Sequence, residues 1–149
     1  FVIDVYGTDN ELEKKEFDKT IAQLELDDCV HHKGWAKVDL DLVSSYDVEL
    51  VCSRAEAFGR STAEAMCAHT AVVGANTGAT PELLENGRGY LYDYGDASSL
   101  ATAIEDALQN ASKRQDKVEA AFAFAKDRFS NEHYVSNVYE VYQNVLGRE

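Results

Sequence analysis

The stretch Ser53-Arg54-Ala55-Glu56-Ala57-Phe58-Gly59-Arg60-Ser61-Thr62-Ala63-Glu64-Ala65-Met66 decides how this chain reads. It follows an apolar run over residues 48–52 that reads as a strand. A polar loop with one glycine comes next, and a helix is expected to open at about Ser61. A strand–loop–helix turn leaves backbone N–H groups unpaired at the helix start, where a phosphate can sit. Two glutamates bracket the turn, Glu56 before the glycine and Glu64 one turn into the helix.

Working outward, short apolar strands and helical patterns alternate. Residues 1–6 are β-branched and aromatic, and Gly7-Thr8-Asp9-Asn10 supplies turn chemistry. A charged helix follows from Glu11, with Phe17, Ile21 and Leu24 as its expected buried stripe. Residues 29–32 read as a second strand closed by Lys33-Gly34, and 38–45 as a short helix with Leu40 and Val43 facing in. Beyond the opening stretch, Ala71-Val72-Val73-Gly74 has the uninterrupted apolarity of a strand buried on both faces. Thr80 is expected to cap a short helix with Pro81 at its first position. Residues 90–92 form the last strand. Three helices close the chain, marked by Leu100/Ile104/Ala107/Leu108, by Val118/Phe122/Ala125, and by Tyr134/Val138/Val141/Tyr142/Val145. Such stripes read as core by default.

Alternation of this kind implies an α/β fold, a three-layer Rossmann-like parallel sheet with helices on both faces, because parallel neighbours need crossover connections. Ligands of such sheets bind beyond the carboxyl ends of the strands. Four loops are expected to gather there: residues 7–10, 34–37, 53–60 and 76–80.

Composition sets the outer limits. A length of 149 residues suits one domain, residues 1–149, and 45% hydrophobic with 10% aromatic content argues for a packed core. The net charge of −13 disfavours nucleic acid or an anionic membrane as partner. Any phosphate must be held by backbone amides and local cations, of which Arg54, Arg60, Arg88 and Lys37 are nearest in sequence. Cys29, Cys52 and Cys67 are odd in number and lack metal-type spacing; Cys52 and Cys67 read as small core residues. A reducing cytoplasm fits them, with the parent enzyme at a membrane surface as an option. No signal peptide or membrane-crossing run is visible. The chain opens without Met, directly in a strand, and reads as an excised piece.

The run from Glu56 to Met66 resembles the Glu-x7-Glu motif of retaining glycosyltransferases of the group 1 (family 4) type. Phe58-Gly59 and Glu64-Ala65-Met66 match its commonest form. Neighbouring landmarks occur in the family's order: His32-Lys33-Gly34 upstream, then Val72-Val73, Thr77-Gly78, Pro81-Glu82-Leu83 and Asn86-Gly87-Arg88-Gly89-Tyr90-Leu91. The resemblance covers roughly residues 1–108. It implies one half of a GT-B enzyme, the C-terminal domain that binds the nucleotide-sugar donor. It also implies that the acceptor domain, one further strand and a basic loop lie outside the chain, so that the piece alone is inactive.

The roles that the resemblance implies fall on specific positions. Glu64 would accept both ribose hydroxyls, a task for a carboxylate with two oxygens in one rotamer. Glu56, the catalytic candidate, would favour positive charge developing at the anomeric carbon. Amides of Phe58, Gly59 and Arg60 would receive sugar hydroxyls and the diphosphate, with Thr77 and Gly78 at the same edge. The base would lie against Gly34, Trp35 and Ala36. No cofactor or metal is implied, only the nucleoside-diphosphate sugar as substrate. The chain departs from the family pattern at His69-Thr70-Ala71, where Gly-x-Pro is usual, and at Ala79, where a second glycine is common.

Plainer readings stand beside these. Ser61-Thr62-Ala63-Glu64 also fits a capping box, with Glu64 returning to the cap's amide. Glu56 reads alone as a solvated loop carboxylate, Arg60 as a surface cation, and Trp35 as a packing residue under its loop. His31, His32, His69 and His133 have no partners at metal spacing. A nucleotide-sugar epimerase of the same fold and a non-catalytic binding or interaction module remain as alternatives. The Tyr-bearing last helix could reach the absent domain or support self-association. Base, sugar and acceptor are not legible.

Overall fold

The computed structural model describes residues 1–7 and 10–147. Thr8 and Asp9, in the first of the four expected loops, lie outside the described residues. The chain divides into two compact units, Phe1–Val38 and Asp39–Glu149.

In the first unit, β1 (Ile3–Tyr6) and β2 (Val30–Gly34) pair in parallel, with Ile3 opposite Val30 and Tyr6 opposite Gly34. The crossover between them is α1 (Glu11–Gln23), started by the Asn10 side chain, which accepts from the Leu12 amide at 3.1 Å. Across the pair, Asp4 meets His31 at 3.2 Å and Lys33 at 3.8 Å. The expected buried stripe of α1 does not form. Phe17 and Ile21 are half-buried, Leu24 is exposed, and no residue of the helix is fully buried. A two-stranded sheet offers too little surface to cover a helix face.

The second unit holds α2 (Leu40–Ser44), β3 (Val48–Val51), α3 (Arg60–Cys67), β4 (Ala71–Ala75), α4 (Thr80–Leu84) and β5 (Tyr90–Tyr92). Three helices complete it: α5 (Ala97–Gln109), α6 (Ala111–Arg128) and α7 (Asn131–Leu146). Strands β3, β4 and β5 form a parallel sheet in sequence order. Side-chain alternation divides its core in two. Val51 and Val72 pack with Val43, Ala65, Met66, Leu83, Leu84, Ala121 and Ala125, which come from α2, α3, α4 and α6. Val73, Ala75, Tyr90 and Tyr92 pack on the opposite face with Ala103 and Ala107 of α5. Helices therefore cover both faces, as the α/β expectation required. All five residues of β4 are buried.

Local boundaries differ instructively. Ala79, not Thr80, precedes α4; Thr80 occupies the first turn and is buried against Gly74. Cys52 falls past the end of β3 and is exposed rather than core. The turn after α3 is made without glycine. His69 adopts φ 55°, stacks on Phe122 with ring centroids 3.8 Å apart, and is followed by Thr70, whose hydroxyl donates to Val43 O at 3.0 Å. The stripe on α7 is not core either: Tyr134, Val141, Tyr142 and Val145 are exposed. No helix among the described residues is long and apolar enough to cross a membrane.

Arg88 ties the α4–β5 turn to α6. Its Nε donates to Leu83 O at 2.6 Å and its second amino group to Glu82 O at 2.8 Å, closing the last turn of α4. The guanidinium lies 3.9 Å from the Phe124 ring centroid, and the side chain is only 10% exposed. Replacement by alanine forfeits two hydrogen bonds and a desolvated cation–π contact, about 3 kcal/mol together. Urea unfolding is expected to show that loss, and Arg88→Lys to recover little, because an ammonium cannot serve two carbonyls and a ring in one plane.

Candidate functional site

The corner after β3 is built from backbone. Residues 53–59 leave the strand, and Gly59 turns left-handed (φ 82°, ψ 51°) as the residue before α3. The helix starts at Arg60, one residue earlier than the sequence suggests, because the glycine rather than Ser61 makes the turn. No side chain caps this end. The first intrahelical bond runs from the Ala63 amide to Gly59 O at 3.0 Å, so the amides of Arg60, Ser61 and Thr62 lie ahead of the ladder. Aligned peptide dipoles add positive potential there.

This start also decides how Glu64 is used. With Gly59 as cap, Glu64 is the fifth residue of α3, too far along for a capping box. Its side chain is 44% exposed, and its Oε1 lies 3.4 Å from a guanidinium nitrogen of Arg60, itself 83% exposed. A surface pair of this kind contributes little to stability. Glu64 is therefore a carboxylate on the open side of the helix, held in place but not consumed by structure.

Glu56 is half-buried, and its backbone is clamped by the β4–α4 loop. The Ala79 amide donates to Glu56 O at 2.9 Å, and the Thr77 hydroxyl donates to Ser53 O at 3.2 Å. Gly78 (φ 56°) lies so close that a Cβ there would meet Glu56 O at 2.4 Å and Glu56 N at 2.6 Å. Phe58 is exposed over most of its ring, with one edge on Phe129 (centroids 5.5 Å), which in turn meets Phe124 edge-on. The ring thus anchors the loop toward α6, while the chain on either side of Gly59 stays available.

Of the residues singled out from sequence, Glu56, Phe58, Gly59, Arg60, Glu64, Thr77 and Gly78 belong to this one corner. Gly34, Trp35 and Ala36 belong to the first unit. Gly34 ends β2 at φ 71° and accepts from the Gly7 amide at 3.1 Å. Trp35 is 71% exposed, not packed under its loop as expected. Among the described residues, no group of three His, Cys, Asp or Glu side chains is placed to hold a metal ion.

Two features escaped the sequence reading. The Cys52 side chain hydrogen-bonds to Tyr92, whose phenol burial pushes well above its ordinary range. Glu49, inside β3, is pushed from 4.5 to about 7, first by burial and then by the charge of Glu64. A carboxylate in the middle of Val48-Glu49-Leu50-Val51 was the signal for it.

Comparisons with known proteins bear on the family and the fold. The model of the family "Glycosyl transferases group 1" matches residues 1–124. N-acetyl-alpha-D-glucosaminyl L-malate synthase of Bacillus anthracis is 28% identical over 127 residues, 85% of this chain and 33% of that protein. Among solved structures, Anabaena HepE in complex with UDP superposes with a TM-score of 0.88 at 28% identity, over 96% of this chain and 41% of that one. Sucrose-phosphate synthase of Thermosynechococcus elongatus reaches 0.83 at 21% identity, over 98% of this chain and 39% of that one, a likeness of fold alone. The chain spans 33% of the curated relative's length and 41% of HepE's. A family match that takes in most of the chain, on a parallel α/β frame, places this polypeptide among the group 1 glycosyl transferases, as a domain of the GT-B type.

Proposed function

We propose that the chain is the C-terminal, donor-binding domain of a family 4 retaining glycosyltransferase, which moves a sugar from a nucleoside diphosphate to a hydroxyl acceptor. The observation that carries this reading is the uncapped start of α3 behind Gly59, with the Glu64 carboxylate open one turn further on. Anabaena HepE, 28% identical, is solved with UDP, and a second structure of it, 27% identical, with UDP-glucose. The residues of the corner fit such a donor. Amides at the α3 start face the diphosphate, Glu64 takes the ribose diol, and Glu56 supports charge at the anomeric carbon.

In the transfer, the bond from the anomeric carbon to the diphosphate oxygen breaks as the acceptor oxygen bonds to the same face. The acceptor's proton passes to the departing phosphate oxygen, so no side-chain base is needed. Gly34, Trp35 and Ala36 receive the base. Three free thiols fit a reducing cytoplasm.

Titration of the chain with UDP, GDP and ADP, followed by calorimetry or amide NMR, tests the assignment. Weak binding of at least one diphosphate is expected, with shifts centred on residues 56–64 and no turnover of a sugar donor. Absence of binding by all three would overturn it.

A further inference from the structure

Arg60 stands at the first position of α3, where no acidic residue of the first turn offsets it. A cation there faces the positive end of the helix dipole. A cation four residues before a carboxylate is also the weaker order for a helical ion pair. The side chain is 83% exposed and fills no core. Neither helix stability nor packing accounts for an arginine at this position. What it does touch is Glu64, whose Oε1 accepts from its Nη2 at 3.4 Å.

The other cations of this unit near the sheet are committed elsewhere. Arg88 serves Leu83 O, Glu82 O and the Phe124 ring. Arg114 donates to Ala107 O at 2.8 Å and meets Asp47 at 3.5 Å. Arg54 is on the loop ahead of Gly59, not on the helix that presents the amides. On a chain of net charge −13, a diphosphate at the α3 start needs a cation within reach. Arg60 carries one on the residue whose own amide is the first of the three lying ahead of the ladder.

We propose that the Arg60 side chain is an exchangeable ligand of the donor, an inference that rests on the donor-binding reading above. In the free protein the guanidinium holds Glu64. When the donor arrives, the ribose hydroxyls take the carboxylate and the guanidinium passes to the diphosphate. The exchange is cheap, because an exposed ion pair is worth little against water. The released fork then offers parallel N–H donors to phosphate oxygens beside the amides of Arg60, Ser61 and Thr62. Arg60 therefore acts with opposite sign on the two halves of the ligand. Against a nucleoside, which brings the diol without charge, it competes for Glu64; toward a nucleoside diphosphate it is a ligand.

The test is amide NMR titration of the full chain with UDP and, separately, with uridine. Arg60→Gln is expected to lower UDP affinity about tenfold, the scale of one charge-assisted hydrogen bond. The same variant should raise uridine affinity about twofold, the scale of an exposed ion pair. Arg60→Lys should retain part of the UDP affinity, since it keeps the charge but not the fork. A urea melt should show no loss of stability in Arg60→Gln. Lys113→Gln, which removes an exposed cation at the start of α6, should leave both affinities unchanged. An equal loss for both ligands in Arg60→Gln would make Arg60 a mere support of the helix start and overturn the proposal. No change for either ligand would overturn it too, as would the same UDP loss in Lys113→Gln. Failure of UDP to bind the unaltered chain would instead count against the donor reading, so the two failures are separable.

Discussion

Glu64→Ala is expected to lower affinity for a nucleotide-sugar donor by about 10- to 100-fold while leaving the fold intact. A carboxylate accepting from two vicinal hydroxyls makes charge-assisted hydrogen bonds, each worth about 1.5–3 kcal/mol. One tenfold step is about 1.4 kcal/mol, and the lost bonds are partly replaced by water. Stability is expected to move by under about 1 kcal/mol, because the ion pair with Arg60 is exposed. Removal of the carboxylate also relieves its repulsion of Glu49. Glu64→Gln, which keeps the shape but not the charge, should fall between the two. Calorimetric titration with UDP-glucose beside a urea melt separates the effects. Unchanged affinity in Glu64→Ala would remove Glu64 from the site, and an equal loss of stability would recast it as structural.

The parallel α/β order was legible because each strand is a short apolar run bounded by turn residues, and β4 in particular has no polar residue at all. The corner was legible because one glycine separates a strand from a helix that has an acidic residue at helical spacing. What failed did so for identifiable reasons. Ser61 has good capping chemistry, yet the left-handed Gly59 turns the chain first and takes the cap position. Periodicity reports that α7 has an apolar stripe, but says nothing about whether a partner surface lies against Tyr134 and Tyr142. The stripe of α1 meets only a two-stranded pair and stays half-covered. Cys52 was expected in a strand that ends one residue earlier. The clamp of residues 53–56 by residues 77–79 is a tertiary contact made mainly by backbone, and no side-chain pattern encodes it. Glu49 was visible as a charge inside an apolar run, but its meaning needed the helix above it.

That clamp yields the other large effect. Gly78→Ala is expected to weaken both the fold and donor binding, the second more than the first. At φ 56° an L side chain carries about 1–2 kcal/mol of strain. The added Cβ would also stand 2.4 Å from Glu56 O and 2.6 Å from Glu56 N, and these are backbone atoms that cannot rotate aside. Relief requires residues 53–59 to lift away from the β4–α4 loop. The Ala79-to-Glu56 and Thr77-to-Ser53 hydrogen bonds would then be lost, and Glu56 with Gly59 would be displaced from the start of α3. Gly87→Ala is the matched control. Gly87 has φ 81° but nothing within 4 Å of its would-be Cβ, so it reports backbone strain alone. It should lose about 1 kcal/mol of stability and no donor affinity. If Gly78→Ala behaves no differently from Gly87→Ala in a titration with UDP-glucose, the clamp does not hold the corner in its binding shape. A loss of affinity at least tenfold beyond the control is the expected result, since loop misplacement by about 1 Å costs on that order at sites that rely on fixed geometry.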